Sequence, residues 1–291
     1  MDLTEFAEEI GDTGPVTIAG LATRGGPVDG VRPVMAPVGI ETIRADEMTV
    51  CRDAGTPVAE LDDALAAYGQ CVAVPPTGTV GGALAVGQSG IRRLGYGPVR
   101  DVLLQARYVS ARGEIVKAGG PTVKNVSGFD LCRLLVGSHG TLGFLGDVIM
   151  RTRPRASYEQ WFTTTDDPWA IMRALYRPTS VLWDGSTTWV LLEGDPRDVA
   201  DQAAAASLVA SDAPVELPTG GRWSMRPADL ASLPGTGRFV AEIGVGIVHH
   251  ELPAPVHRAD DAVVELHLRI KEQFDPTGRM NPGVTVLRGA R

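Results

Sequence analysis

The chain is short of the residues that would commit it to several common chemistries. Of its 291 residues three are cysteine, namely Cys51, Cys71 and Cys132, with no CxxC spacing. Disulfide frameworks, zinc sites and iron–sulfur clusters need more thiols or closer ones, so these read as small buried thiols in a reducing compartment. Its five histidines form no HxxH or HxxxH pair. The adjacent pair, His249-His250, ends an apolar run read as a strand; alternation sends the two rings to opposite faces, where they do not easily share a metal. No metal site is expected. Positive charge is also scarce: 27 Lys and Arg stand against 35 Asp and Glu, for a net charge of -8, which leaves no basic footprint for nucleic acid or anionic lipid. No apolar run approaches a membrane crossing. The opening, MDLTEFAEEIGD, is acidic where a secretory signal would be basic and then apolar. The expected location is the cytoplasm.

Glycine is abundant instead, and it is concentrated between Pro75 and Phe144. Gly78, Gly81 and Gly82 sit among Thr77, Thr79 and Val80; Gly87, Ser89, Gly90, Gly95 and Gly97 follow; Gly137, Ser138, Gly140, Thr141 and Gly143 come later. A residue without a Cβ can turn successive N–H groups toward an anion, and neighbouring hydroxyls add donors. One such cluster reads as ordinary loop and bulge glycines. Three, interleaved with β-like runs, point to an extended phosphorylated cofactor. A further turn, GLATRGG at 20–26, follows the short strand VTIAG and brings Arg24 as a charge-assisted donor. It does not match GxGxxG, and taken alone an ordinary hairpin connection explains it equally well.

Two α+β segments are expected on either side of Arg151–Arg155. In the first, 47–54 reads as a strand, followed by a helix with Thr56 as N-cap, Pro57 at the first helical position, Gly69 at the stop and Val58, Leu61, Leu65 and Tyr68 on one apolar face. Residues 102–109 and 114–117 read as a strand pair, 129–136 as a short helix and 143–150 as a strand. In the second, strands at 160–165, 180–184, 187–193 and 214–217 with helices at 168–176 and 196–209 spell β-α-β-β-α-β. Residues 218–236 read as loop, 239–248 as one buried strand, and 259–274 as a helix with Val263, Leu266, Ile270 and Phe274 on one side. A turn-rich tail, DPTGRMNPG, closes the chain.

Four motifs in this order, PPTGTVGG, SGIRRLGYGPVRD, KNVSGFDLCRLLVGSHGTLGFL and FDPTGRMNPG, resemble the FAD-binding PCMH-type flavoproteins, also called the vanillyl-alcohol oxidase family. The likeness is greatest to the FAD-binding E-type subunit of bacterial glycolate oxidases. It spans most of 14–155 and 237–283, whereas 156–217 matches in topology alone. The resemblance implies an α+β, PCMH-type FAD-binding fold of two subdomains with a small ferredoxin-like βαββαβ cap. The expected bounds are 1–155 for the FAD-binding domain (subdomains about 1–74 and 75–155), 156–236 for a reduced cap, and 237–291 for a strand, helix and tail returning to the flavin. Carried over by position, Gly20, Thr23, Arg24, Gly25 and Gly26 face the pyrophosphate. Pro76, Thr77, Gly78, Thr79, Val80, Gly81 and Gly82 line the diphosphate and flavin edge, continued by Ser89, Gly90, Tyr96 and Gly97, with Asp130 and Ser138 nearby. Gly143 and Phe144 meet the adenine, and Asn281 returns near the isoalloxazine ring. The first loop, Gly20 to Gly30, holds no histidine and no cysteine matches a linking position, so non-covalent FAD is expected.

The resemblance further implies oxidation of a small 2-hydroxy acid, or relay of its electrons, beside an iron–sulfur subunit and a second flavoprotein subunit. The histidine-rich metal motif of the related catalytic subunits is missing here. Two other readings stay open: a standalone flavin-dependent alcohol oxidase or dehydrogenase, and a flavin-free structural subunit. No catalytic group is assigned by the motifs. His249 is the candidate base, against a histidine merely satisfied at a strand end. Arg92, Arg93 and Arg100 read as partners of phosphate or of a substrate carboxylate, or more commonly as solvated loop arginines, and Lys124-Asn125 as cleft lining or capping residues.

Overall fold

The computed structural model describes residues 1–121, 130–256 and 259–287. Lys124 and Asn125 lie outside the described residues, as does Phe129. Two compact units result. The first holds Met1–Ser89, Pro98–Arg155 and the C-terminal stretch that begins with the helix Asp261–Phe274; the second holds Gly90–Gly97 and Ala156–Val256.

The first unit is organised on a five-stranded antiparallel sheet, in the order Ile40–Arg44, Thr49–Asp53, Phe144–Arg151, Leu103–Val109, Ile115–Gly119. Phe144–Arg151 is central: residues 144–148 and Met150 are all buried, Asp147 among them through its pair with Arg107. One face packs Val50, Ala106, Val148 and Met150 against the helices Val58–Ala66, Val80–Val86 and Leu131–Leu135 through Leu61, Leu65, Val80, Leu84 and Leu135. Burying side chains of this size stabilises by about 1.5–3 kcal/mol each relative to exposure. A smaller cluster joins Phe6 and Ile10 of the first helix, Leu3–Ile10, to Val16, Val34, Phe144 and Met280. Val16–Ala19 and Arg32–Met35 form a separate parallel pair.

The second unit is one seven-stranded antiparallel sheet. Its order is Val209–Ser211, Tyr158–Thr164, Thr188–Gly194, Ser180–Trp183, Phe239–Glu242, Ile247–His250, Gly221–Ser224. The helices Pro168–Ala174 and Pro196–Ala205, each with proline at its start and an aspartate cap, complete the expected βαββαβ order. Phe162, Val190, Leu192, Ile171, Val199 and Ala203 form the core beneath them.

Several local expectations differ from the structure, each for a stated reason. Thr56 does not cap a helix: its hydroxyl donates to the Gly39 carbonyl and accepts from the Gly39 N–H, both at 3.0 Å, so the cap position falls to Pro57. Tyr68 is 54% exposed, two residues beyond the helix end at Ala66. The last strand of the βαββαβ unit is Val209–Ser211 rather than 214–217, because Ser207 at φ 51° ends the preceding helix early. Residues 239–248 are not one strand. They fold as a hairpin, Phe239–Glu242 with Ile247–His250, whose turn needs Gly244 at φ 80° and Gly246 at φ 81°. That hairpin extends the second unit's sheet, and the expected loop at 218–236 contributes a strand, Gly221–Ser224, to its edge. Of the apolar side of Asp261–Phe274, Ile270 and Phe274 pack on the core, while Val263 and Leu266 are exposed.

Candidate functional site

A cavity of about 510 Å³ opens in the first unit, within the size range of small-molecule and cofactor sites. Four chain segments meet around it: the strand and turn 17–28, the segment 54–60, the start of the helix Val80–Val86 with Thr79, and the loop 138–145; Asn281 and Val284 complete the wall. Small residues dominate because the segments approach one another backbone to backbone. A Cβ on Gly78 would fall on Thr23 Oγ1 and Arg24 Nη1, one on Gly81 would lie 2.9 Å from Ala54, and one on Gly140 would lie 2.7 Å from Asn281 Nδ2. Gly25 and Gly26 differ: nothing of the protein lies within 4 Å of a Cβ placed there. The first glycines close the frame, and the second pair faces open space.

The backbone is unusual around this cavity. Among the described residues six non-glycine residues have positive φ, and three of them, Ala22 at 54°, His139 at 52° and Asn281 at 44°, line it. Left-handed backbone in residues with a Cβ costs about 1–3 kcal/mol each and persists where the surroundings over-determine it. Asn281 shows how. Its Oδ1 accepts from Thr17 Oγ1 at 2.8 Å and from the Ile18 N–H at 3.0 Å, and its Nδ2 donates to the His139 carbonyl at 2.7 Å. One buried side chain thereby ties the first strand, the loop 138–143 and the C-terminal turn together.

The DPTGRMNPG segment is a buried rivet. The Arg279 guanidinium, 4% exposed, donates to the carbonyls of Ile10, Gly11, Thr13, Gly14 and Ala111 at 2.7–3.1 Å. Burial pulls its pKa below the ordinary arginine range. Asp275, also buried, accepts from the N–H groups of Arg279 and Met280 and pairs with Lys271, which in turn donates to the Thr141 and Met280 carbonyls. Asn281 is positioned by this network.

Charge at the cavity is sparse, one guanidinium and one carboxylate. Arg24 is half-buried and its pKa is lowered by burial. It touches Thr77 Oγ1 at 3.4 Å and Thr23 Oγ1 at 3.5 Å, and has no carboxylate partner among the described residues. Glu60 is the carboxylate in the cavity wall. A desolvated guanidinium without a counter-ion, next to two hydroxyls and two open glycines, suits a phosphate group. These residues fit a phosphorylated cofactor.

Among the residues singled out from sequence, Gly20, Thr23, Arg24, Gly25, Gly26, Thr79, Gly81, Gly82, Ser138, Gly143, Phe144 and Asn281 line the cavity. Pro76, Thr77, Gly78 and Val80 stand outside its lining. Ser89 accepts from the Val99 N–H at 3.1 Å, and Asp130 caps the helix Leu131–Leu135. Gly90, Tyr96 and Gly97 belong to the second unit, where the Tyr96 hydroxyl donates to Glu193 at 3.1 Å. Arg92 pairs there with Glu159 and Glu193, while Arg100 is an exposed neighbour of Asp101. Sequence reasoning missed Ala54-Gly55, Met35, Val38 and His139. Only His139 carried a signal, as the bulky member of the run GSHG.

The adjacent histidines of the second unit face opposite sides of their sheet, in keeping with strand alternation. His250 is fully buried: it stacks on Trp223 at 3.9 Å, its Nε2 meets Thr236 Oγ1 and its Nδ1 accepts from the Leu252 N–H. Burial lowers its pKa. His249 Nε2 meets Glu242 Oε1 at 2.9 Å, its one hydrogen bond among the described residues.

Residues 11–119 match the FAD binding domain family. Glycolate oxidase subunit GlcE of Escherichia coli is 36% identical over 166 residues, which are 53% of this chain and 47% of that protein. D-lactate dehydrogenase of Archaeoglobus fulgidus is 39% identical over 118 residues, 39% of this chain and 26% of that protein. The matched stretch thus spans about half the length of the first of these relatives and less of the second. An alkyldihydroxyacetonephosphate synthase structure covers 97% of this chain, and 74% of its own, with a TM-score of 0.70 at 14% identity, a likeness of fold. Domain match and fold likeness agree: residues 11–119 are similar to the FAD binding domain family, and nearly the whole chain shares the fold of that synthase.

Proposed function

We propose that this chain is an FAD-dependent oxidoreductase of small 2-hydroxy acids, acting alone or within a complex that relays the electrons onward. The observation that carries the reading is the cavity in the first unit, where Arg24, without a carboxylate partner among the described residues, two open glycines and three left-handed residues meet. Arg24, Thr23 and Thr79 would hold the diphosphate of FAD, with Gly25 and Gly26 allowing its close approach. Gly143, Phe144 and Asn281 would bound the cofactor's ends. When bound, the flavin supplies the two-electron acceptor, and the protein supplies binding and orientation. The hydroxy-acid substrate is supported by the relatives, which include a glycolate oxidase subunit and a D-lactate dehydrogenase. The subunit naming supports partner chains, and a one-electron relay would need one: the three cysteines offer no cluster spacing. No helix among the described residues is long and apolar enough to cross a membrane.

The testing experiment is the visible spectrum of the purified protein before and after acid precipitation, followed by anaerobic addition of glycolate and of D- and L-lactate. A flavin spectrum that moves wholly to the supernatant is expected for non-covalent FAD, and bleaching by at least one acid is expected for the substrate class. Flavin left in the pellet would overturn the non-covalent assignment. A flavin that none of the acids reduces would overturn the substrate class.

A further inference from the structure

The core of the first unit holds a charge that its packing does not use. Val50 pairs with Met150 and Arg52 with Val148, so all four side chains share one face of the five-stranded sheet. That is the face packed on Leu61 and Leu65 of the helix Val58–Ala66. Arg52 is 0% exposed, and its Nε, Nη1 and Nη2 are all buried without a hydrogen-bond partner. Burial lowers its pKa to about 10, against the attraction of Glu60 and then Asp53. Arg279 shows the ordinary arrangement, with all three guanidinium nitrogens donating to carbonyls. A buried cation left without donors in use destabilises the fold, and such an exception calls for an explanation.

The explanation lies at the cavity. Two residues past Arg52 the chain reaches the cavity wall at Ala54 and Gly55, and it lines the wall again at Pro57 and Glu60. This segment is stitched to the turn before the helix Val80–Val86. The Val58 N–H donates to the Gly78 carbonyl at 2.8 Å, the Val80 N–H to the Thr56 carbonyl at 2.9 Å and the Gly81 N–H to the Ala54 carbonyl at 2.7 Å. Glu60 therefore belongs to the segment adjoining the turn that Arg24 touches through Thr77. It is exposed and has no hydrogen bond or ion pair among the described residues.

A carboxylate in the wall of a diphosphate cavity poses a problem of sign, because it repels phosphate and can only accept hydrogen bonds. The donors that flank the diphosphate of FAD are sugar hydroxyls, those of the adenosine ribose on one side and of the ribityl chain on the other. A cation buried behind the carboxylate offsets the repulsion, and no Arg52 nitrogen occupies the carboxylate oxygens. Charge in the interior is screened much less than charge in water, so it acts without direct contact.

We propose that Glu60 accepts a hydrogen bond from a sugar hydroxyl of the cofactor, and that Arg52 is its positioning residue, a buried charge that cancels the carboxylate's repulsion of the diphosphate. The inference rests on the FAD reading above and adds to it the group that selects a hydroxylated sugar beside the phosphates.

The test is titration of the full-length apoprotein with FAD and two analogues, followed by flavin fluorescence. One analogue carries 2′,3′-dideoxyribose on the adenosine side, and the other a hydroxyl-free chain in place of ribityl. The wild type should bind one of them about 10- to 100-fold more weakly than FAD, the weight of a hydrogen bond to a charged group, and that analogue identifies the sugar. In Glu60→Ala the same ratio should shrink by about tenfold or more. Ratios unchanged for both analogues overturn the role of Glu60. Arg52→Met should raise the melting temperature of the apoprotein, as loss of an unpaired buried cation does, and weaken FAD binding by about tenfold. Adding Glu60→Gln should recover part of that loss, since the repelling charge is then gone. An affinity loss of the same size with Glu or Gln at position 60, or an Arg52→Met protein that melts below the wild type, marks a merely structural arginine and overturns its role. A wild-type protein that takes up no FAD sinks the cofactor reading, and the inference with it; failure of the inference alone appears in the variants while the wild type binds.

Discussion

The two units place their polar groups by different means. In the first, the cavity is framed by close backbone approach: glycines let four segments meet, left-handed residues hold the turns, and the Asn281 amide locks them. In the second, the polar side chains of Glu242, His249 and His250 sit on neighbouring strands of a continuous sheet, fixed by register. Such a frame suits a large ligand gripped over its length, where many weak donors matter more than one strong group. Side chains on a rigid sheet suit single partners met at fixed positions. The first arrangement is sensitive to bulk and the second to chemical identity.

Breaking the frame of the first unit should have the largest effect. Arg279→Leu leaves five carbonyls without their buried donor, those of Ile10 and Ala111 in fully buried bonds, and should cost about 3 kcal/mol of unfolding free energy. Urea denaturation followed by far-ultraviolet dichroism measures it. A loss below about 1 kcal/mol would mean that water replaces the guanidinium and the segment is no rivet.

Next in size are changes that spare the frame and strike the ligand. Arg24→Met should weaken FAD binding by about 10- to 100-fold, the weight of one charge-assisted contact, with the melting temperature unchanged. Gly26→Asp should act in the same direction, because its side chain meets no protein atom and carries the wrong charge. Gly78→Ala should lower flavin content and melting temperature together, since its Cβ collides with Thr23 and its φ is 76°. Titration of the apoprotein with FAD, beside thermal melts, separates these outcomes. A Gly26→Asp protein that binds FAD normally would move the phosphate site away from that turn.

The smallest expected effect sharpens the comparison from the other side. Burial lowers the pKa of His250 below its ordinary 6.5. A neutral buried histidine contributes stability that is fully present above the unfolded-state pKa and is lost as pH falls through the folded one. Hydrogen exchange protection of the second unit's sheet should therefore fall between pH 7 and pH 5.5 by more than that of the first unit's sheet. His250→Phe should remove that difference. Equal loss in both sheets would assign the acid sensitivity to groups elsewhere.

Much of the fold is legible in the sequence, because it rests on local chemistry. Proline behind an aspartate starts both helices of the βαββαβ unit, and the run 103–109 followed by Ala111-Arg112-Gly113 forms its expected hairpin. The errors share a cause. An unbroken apolar run hid the hairpin at Gly244 and Gly246, although the glycines were in view. The capping rule chose Thr56, but its hydroxyl had a better partner in Gly39, 17 residues away. Ala54, Met35 and Val38 carry no chemical signature at all; they reach the cavity through the path of the backbone.

The sequence by itself determined the class of ligand and the residues able to meet it. Glycine turns with threonine and arginine are local features that pointed to a phosphorylated cofactor, and the resemblance of four motifs to a flavoprotein family implied FAD. Tertiary structure decided which of them converge. The matched domain ends at residue 119, yet the central strand of its sheet is Phe144–Arg151 and the side chain that locks its cavity is Asn281, 264 residues from Thr17. It also decided between two neighbouring histidines. Sequence makes His249 and His250 equivalent up to the face each takes. The packing around them satisfies both nitrogens of one and leaves the other with a single carboxylate, because hydrogen-bond partners are set by register across strands and not by proximity along the chain.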